Sequence, residues 1–475
     1  MTTRAATTQH LSWIEIVRLG LVQTALGAIV VLTTSTINRV MVVEYALPAV
    51  VPGLLVGWHY ALQILRPRWG FGSDVGGRRT PWILFGMAVL AVGGFTAAIA
   101  TALIGVSLLL AIIVAIFAFT LVGIGVGAAG TSLLALLAVS VSPVRRPAAA
   151  TIVWMMMIVG FIVTTITASA FLDPFSGLRL VAVSGTVSLI AMVLSAVALW
   201  GIERPRSAVA AAGAEGAAAS VEMDSPSHAE KPAFGDALRD VWRDAAARRF
   251  TIFVFISMLA YSMQDLILEP FAGIVFAMTP GQSTRLAGLQ HSGVFAGMLL
   301  VAIAARPSVG LGSLRVWTIG GCIASALALM LIVMAGLSGP PWPIEFSVMA
   351  LGVANGAFAV AAIGSMMGLA GKGQSGREGV RMGLWGASQA IAFGLGGLVG
   401  AAAADLARLW IGDAALAYVT VFGAEAALFL IAAWLARDAI DLPAPAPVSM
   451  ASMRTAATPA ITDRTPVNSL LAKTS

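Results

Sequence analysis

Uninterrupted apolar stretches of about 20 residues or more recur along the whole chain, as in SLLLAIIVAIFAFTLVGIGVGAAG at 107–130. An α-helix needs about 20 such residues to cross roughly 30 Å of hydrocarbon. Within that layer every backbone N–H and C=O must bond internally, which leaves only helices and closed barrels. The blocks lack the alternating apolar and polar pattern of a barrel strand, so the chain is predicted to be an all-α membrane protein. Its 59% hydrophobic and 11% charged residues lie outside the range of soluble domains, which carry about a quarter charged residues. The opening MTTRAATTQHLSWIEIVR is polar and runs straight into a full-length span. It lacks the short apolar core and cleavage site of a signal peptide, so the first helix is expected to stay as an anchor. The lone Cys322 excludes an internal disulfide and reads as core filler.

Twelve spans are predicted, at 16–38, 47–65, 81–104, 107–140, 148–172, 178–201, 250–272, 286–305, 314–337, 343–371, 380–404 and 413–436. They divide the chain into a six-helix bundle at 1–201, a linker at 202–249, a second six-helix bundle at 250–440 and a tail at 441–475. The Ala-, Ser- and Pro-rich linker and the PAPAP-containing tail are too polar to span and read as disordered, apart from a surface helix at FGDALRDVWRDAAARR. With both termini cytoplasmic, all of the 28 Lys and Arg residues except Arg39, Arg179, Arg285 and Arg408 fall on the cytoplasmic side. The pI near 10.1 then reflects topology and attraction to anionic lipid, with no nucleic-acid partner required.

RPRWGFGS at 66–73 recurs as RPSVGLGS at 306–313, each after the second helix of its half. Such repetition points to two six-helix repeats related by an axis along the membrane normal. The first copy extends through Gly70, Asp74, Gly77, Arg78 and Arg79, a pattern that resembles the loop motif of the major facilitator superfamily, with Val75 where a basic residue is usual. The glycines permit a tight turn, Asp74 can accept hydrogen bonds from a helix N-terminus, and Pro81 suits the first turn of the next helix. The second copy has Leu314 in place of the aspartate, so any latch of this kind is confined to one half.

Polar residues at membrane depth are the functional candidates. Helix 1 ends in Asn38, Arg39 and Glu44, and its counterpart, helix 7, carries Gln264, Asp265 and Glu269. Ionised groups there need partners, and Arg39 is expected to pair with Asp265 or Glu269 across the interface between halves, as a structural clamp or as a contact for a polar substrate group or coupling ion. Glu425 lies in mid-helix 12 as a candidate proton relay. Asn355 and Gln389 read as interhelical hydrogen-bond glue, and Met155, Met156, Met157, Met366 and Met367 as compliant packing surface. His59 and His291 lie inside apolar helices, nearer opposite faces of the membrane, and either bonds a neighbouring helix or offers a neutral imidazole to a metal. Around His59, GWHY supplies a small residue, Trp58 and Tyr60, as a flat macrocycle requires. No P-loop, HExxH, GxGxxG after a strand or Cys/His metal spacing is present, which argues against an enzyme.

INRVMVVE at 37–44, LRPRWGFGSD at 65–74, MQDLILEPFAG at 263–273, NGAFAVAAIGSMMGLA at 355–370 and GLWGASQA at 383–390 together resemble the PucC/LhaA family of light-harvesting complex assembly proteins. That family is the bacteriochlorophyll delivery branch of the superfamily, and the resemblance covers roughly residues 12–440. It implies a non-enzymatic assembly factor in the inner (intracytoplasmic) membrane of a photosynthetic bacterium, passing bacteriochlorophyll to antenna polypeptides. Reaction-centre and pigment-synthesis proteins are further candidate partners. The RPRWGFGSD form is closer to the LhaA side, which serves the core antenna around the reaction centre. Pigment would be held through its magnesium by His59 first and His291 second. The alternative is a proton-coupled transporter of a small solute or tetrapyrrole working through Asp265, Glu269 or Glu425. Spans dominated by Ala, Gly, Leu, Val and Met favour an apolar cargo.

Overall fold

A computed structural model describes residues 11–66, 78–142, 145–203, 242–305, 309–370 and 378–440, and every regular element among them is helical. Among the described residues, eleven helices are long and apolar enough to cross a membrane. They are α1 (Trp13–Glu44), α3 (Thr80–Leu103), α4 (Leu108–Ser140), α5 (Arg146–Leu172), α6 (Gly177–Leu199), α7 (Ala245–Val275), α8 (Pro280–Ala304), α9 (Leu314–Ser338), α10 (Ile344–Ala370), α11 (Glu378–Ile411) and α12 (Ala414–Ala439). A shorter apolar helix, α2 (Val50–Leu62), continues into a 3-10 turn at Gln63–Leu65. Most of the expected linker, 204–241, and the tail from 441 lie outside the described residues.

Three helices start earlier than their apolar cores because polar caps carry them outward. At α1, Ser12 Oγ accepts from the Glu15 N–H (3.3 Å) while the Ser12 N–H donates to Glu15 Oε2 (2.8 Å). At α7, Asp244 accepts from the Ala246 N–H (3.0 Å), which brings Arg248 and Arg249 inside the first turns. At α8, Thr279 and Gln282 form a capping box with Pro280 in the first turn, so this helix begins at 280 where hydropathy predicts 286.

The first six helices pack mainly among themselves, α1 on α5 and α6, α3 on α4 and α6. The last six do likewise, α7 on α11 and α12, α8 on α10, and α9 on α10 and α12. Two seams join the sets, α2 against α11 and α5 against α8, while the far end of α1 meets α7 and α8. Where lipid tails are as apolar as leucine, close backbone packing replaces the hydrophobic effect as the source of association. Gly86 of α3 illustrates it, since a Cβ there would lie 2.9 Å from Ala129 Cα of α4. The outward faces remain apolar, with Leu109, Leu189, Leu409 and Trp410 among the most exposed side chains. On a soluble protein these would be a liability; here they are the lipid contact.

Candidate functional site

Two breaks in helical regularity build the polar centre. In α1 the backbone passes through π-helical turns at Leu32–Thr36 and Val40–Glu44. Such wide turns leave some carbonyls poorly paired, and Thr33 and Thr34 hydroxyls donate to Ile29 O (2.5 Å) and Val30 O (3.0 Å). In α7 a 3-10 turn spans Gln264–Leu266, and Pro270 lacks the N–H that would bond the Leu266 carbonyl. Asn38 of α1 fills that gap, its Nδ2 donating to Leu266 O at 2.8 Å. Beside it the Ser35 hydroxyl donates to Glu269 Oε1, and the Thr36 and Thr284 hydroxyls share a hydrogen bond of 3.1 Å with α8.

Arg39 is 1% exposed. Its Nη1 forms an ion pair with Glu44 Oε1, and its Nη2 donates to Met278 O at 2.6 Å. The expected salt link to Asp265 or Glu269 is therefore replaced by one within α1. Bonds in a π turn run between residues five apart, as from the Tyr45 N–H to Val40 O (3.2 Å), so Glu44 is brought over Arg39. The guanidinium still faces α7, because a Cβ on Gly273 would lie 3.1 Å from Nη2. Of the predicted cluster, Asn38, Arg39, Glu44 and Glu269 thus join the ends of α1 and α7.

Asp265 takes a different direction. Its side chain is exposed, and it lies in electrostatic range of Tyr60, Tyr261 and Glu425. Tyr60 and Tyr261 pack on Phe393 of α11 with ring centroids 6.3 and 5.7 Å away. Gln264 and Glu425 are fully buried, and neither the Gln264 amide nor the Glu425 carboxyl has a hydrogen-bond partner among the described residues. Asn355 does act as glue, its Oδ1 accepting from the Ser325 hydroxyl at 2.8 Å.

The histidines differ sharply in access. His59 is 1% exposed, with Nδ1 2.6 Å from Val56 O and its ring 4.1 Å from that of Tyr60. Its backbone abuts α4, where a Cβ on Gly123 would lie 2.8 Å from the His59 carbonyl. Trp58 is 45% exposed on another face of α2, its Nε1 donating to Thr120 Oγ1 at 2.9 Å. Consecutive helical residues point about 100° apart, so Trp58 lies away from His59 and Tyr60, whose rings meet. His291 is partly exposed at the seam between α8 and α5, with its ring 4.9 Å from that of Phe161. Along the same seam Met155, Met157, Phe295 and Met298 form a soft apolar wall.

Gly70, Asp74 and Gly77 of the loop motif lie outside the described residues. Of its described members, Arg78 is exposed, and Arg79, with Thr80, donates backbone N–H groups to the Glu203 carboxylate, each at 2.9 Å. Sequence reading passes over Ser35, Met278 and Thr284, a hydroxyl or a carbonyl carrying no hydropathy signal. It also misses Asp173 and Asp405, ordinary acids near helix ends that bond across the two seams.

The family model described as PUCC protein matches residues 36–441. The chain is 52% identical over 430 residues to the Rhodobacter capsulatus protein named bacteriochlorophyll synthase 44.5 kDa chain, covering 90% of this chain and 96% of that one. It is 30% identical over 397 residues to Protein PucC of Cereibacter sphaeroides, covering 80% and 81%. Among solved structures, a D-xylose-proton symporter superposes with TM-score 0.67 at 11% identity, over 90% of this chain and 98% of that one. A bacterial homolog of the human lysosomal transporter Spinster, inward-facing and unoccupied, gives 0.62 at 16%, over 90% and 98%. At such identities the likeness establishes the fold that this chain shares with those transporters and nothing about cargo.

Proposed function

The chain belongs to the PucC protein family, and from that premise we propose that it is a non-enzymatic assembly factor that binds bacteriochlorophyll and passes it to antenna polypeptides in the inner membrane of a photosynthetic bacterium. The reading rests above all on one observation, the half-buried His291 in a seam walled by methionine and phenylalanine. Its polar centre supports the non-enzymatic part. Arg39, Glu269 and Asn38 are engaged in holding helices together, which leaves them poorly placed for acid-base chemistry. The word synthase in a relative's name describes that relative. For the client we favour the core antenna, on the RPRWGFGSD phrase alone.

When bound, bacteriochlorophyll would supply a flat apolar macrocycle and a magnesium ion that a neutral imidazole could hold. His291 fits that demand, with part of its surface open and apolar side chains to cover a ring. His59 fits poorly, because its side chain is buried, with Nδ1 against Val56 O and the ring against Tyr60. The sequence-based order is thereby reversed. His291→Leu is expected to remove at least half of the pigment bound per folded protein, and His59→Leu to leave it near wild type. Absorbance of the purified variants decides this, and unchanged pigment in both and in the double variant refutes ligation. The exposed Asp265 favours a second reading, proton-driven uptake of a solute. Uptake into proteoliposomes that needs a proton gradient and is lost in Asp265→Asn would replace the assembly reading.

The same proposal places twelve spans, α2 included, in two six-helix bundles, 1–201 and 250–440, with both termini cytoplasmic. Cysteines at Ser73 and Ser142 should then react with an impermeant maleimide from the cytoplasmic side, and one at Ser176 from the opposite side. Ser73 lies outside the described residues, whereas Ser142 and Ser176 lie at opposite ends of α5. Buried Cys322 should give little background. The reverse pattern inverts the topology.

A further inference from the structure

Two acids at membrane depth stand without a cation. Among the described residues neither Asp265 of α7 nor Glu425 of α12 has an ion-pair or hydrogen-bond partner, although the two lie in electrostatic range of each other. Asp265 sits ten residues before the end of α7 at Val275, about 15 Å inside it at 1.5 Å per residue. Glu425 is fully buried, whereas Asp265 is exposed. An ionised side chain at that depth keeps its open surface against water or a ligand, because hydrocarbon offers it no hydrogen bond. Arg39, the buried cation of α1, is committed to Glu44 and Met278 O, and Arg66, six residues after Tyr60, bonds Gln63 Oε1. Three partly exposed rings stand near Asp265, namely Tyr60 of α2, Tyr261 of α7 and Phe393 of α11. Phe393 lies between the tyrosines, with centroids 6.3 and 5.7 Å away and planes tilted by 34° and 58°. Glycine permits the approach, since a Cβ on Gly394 would lie 3.1 Å from Tyr60 Cβ and one on Gly57 3.6 Å from Gly394 O. Asp265 follows Tyr261 by four residues, about one turn, so both project from one side of α7, and both tyrosines lie in electrostatic range of its carboxylate.

We propose that Asp265, Tyr60, Tyr261 and Phe393 form a binding site for a lipophilic organic cation, an ammonium or phosphonium centre carried on an apolar body. An aromatic face attracts a cation through its quadrupole, and a carboxylate beside it supplies the counter-charge. Rings at different tilts suit a rounded, weakly hydrated cation, which one flat stacking surface would not enclose. A hard metal ion is a poor match, since Ca²⁺ or Mg²⁺ demands about six oxygens and the site offers one carboxyl and two phenols. Glu425 adds a second negative field without touching the ligand, and so favours positive charge at Asp265. The site is separate from His291, which meets Phe161 in the α5–α8 seam, so it does not rest on the pigment reading.

Binding of tritiated tetraphenylphosphonium to the full chain in lipid nanodiscs, with empty nanodiscs subtracted, tests the site. Wild type should show saturable binding that unlabelled benzyltrimethylammonium displaces and its uncharged carbon isostere, neopentylbenzene, does not. Asp265→Asn should weaken binding roughly tenfold or more. Tyr261→Leu should weaken it roughly threefold or more, while Tyr261→Phe, which keeps the ring, stays near wild type. If Asp265→Asn does not fold, the two Tyr261 variants carry the test. His291→Leu should bind the cation as wild type does, whatever it does to pigment. Absence of saturable binding, equal displacement by neopentylbenzene, or full binding by a folded Asp265→Asn overturns the site. Equal weakening in the two Tyr261 variants does so too, because a hydroxyl contact and not a ring contact gives that result, and loss of cation binding in His291→Leu would move the ligand to the other seam.

Discussion

Glu44→Ala is expected to lower the stability of the folded protein by about 3–5 kcal/mol, and Arg39→Ala by about 2 kcal/mol, although both delete one side of the same ion pair. The asymmetry comes from what is left behind. Glu44 is 29% exposed, so without Arg39 its carboxylate turns to water, while Met278 O loses a donor and Glu269 keeps its bond from Ser35. Arg39 is 1% exposed, so without Glu44 a guanidinium stays at membrane depth with one carbonyl for company. The remaining acid that faces it, Glu269, is already held by Ser35. Removing both partners should therefore be milder than Glu44→Ala alone, and adding Glu269→Ala to Arg39→Ala should bring no such relief. Denaturant or thermal unfolding in one lipid-detergent mixture measures all four variants. Equal losses for the two single variants would mean that the pair is solvated as a unit and that the π turn confers no buried charge.

That result also marks where sequence reading ends. Asn38, Arg39, Glu44, Gln264 and Glu269 stand out in the sequence because polar groups in apolar helices are costly, and the structure gathers most of them where α1 meets α7. Who bonds whom was not legible. Partners assigned at 3.6 residues per turn go astray once α1 widens to π turns and α7 tightens to 3-10, for these breaks change which residues share a face. GWHY is split for a related reason, since helical rotation turns Trp58 away while the His59 and Tyr60 rings meet. Positions of the long helices were legible because hydropathy over 20 residues is a strong signal, whereas the polar first turn of α8 depends on caps that a hydropathy window averages away. Asp173 and Asp405 were hidden differently. An acid near a helix end is commonplace, and only tertiary structure shows that the helix it caps belongs to the other half.

Gly297→Ala is expected to destabilise the protein by about 1–3 kcal/mol, whereas Gly320→Ala and Gly423→Ala, also in helix interiors, should be neutral or stabilise it by up to about 1 kcal/mol. By intrinsic propensity all three changes favour the helix, because alanine restricts the unfolded chain more than glycine does. What differs is the space around each Cα. At Gly320 of α9 and Gly423 of α12 nothing lies within 4 Å of an added Cβ. At Gly297 of α8 the added carbon would run into the Val353 carbonyl of α10 and lie 2.8 Å from the Ala357 nitrogen. The seam is reciprocal, with Gly293 facing Met349 O at 2.6 Å and both Gly352 and Gly356 of α10 pressed against α8 carbonyls. Neither helix can yield by turning a side chain, since the obstacles are backbone atoms, so α8 must shift away from α10 and toward α5. That shift narrows the seam containing His291 and Phe161, so the same variant should also bind less pigment than Gly320→Ala if His291 is the ligand. Measured side by side in one lipid mixture, a Gly297→Ala variant as stable as Gly320→Ala would show that α8 and α10 are not in backbone contact.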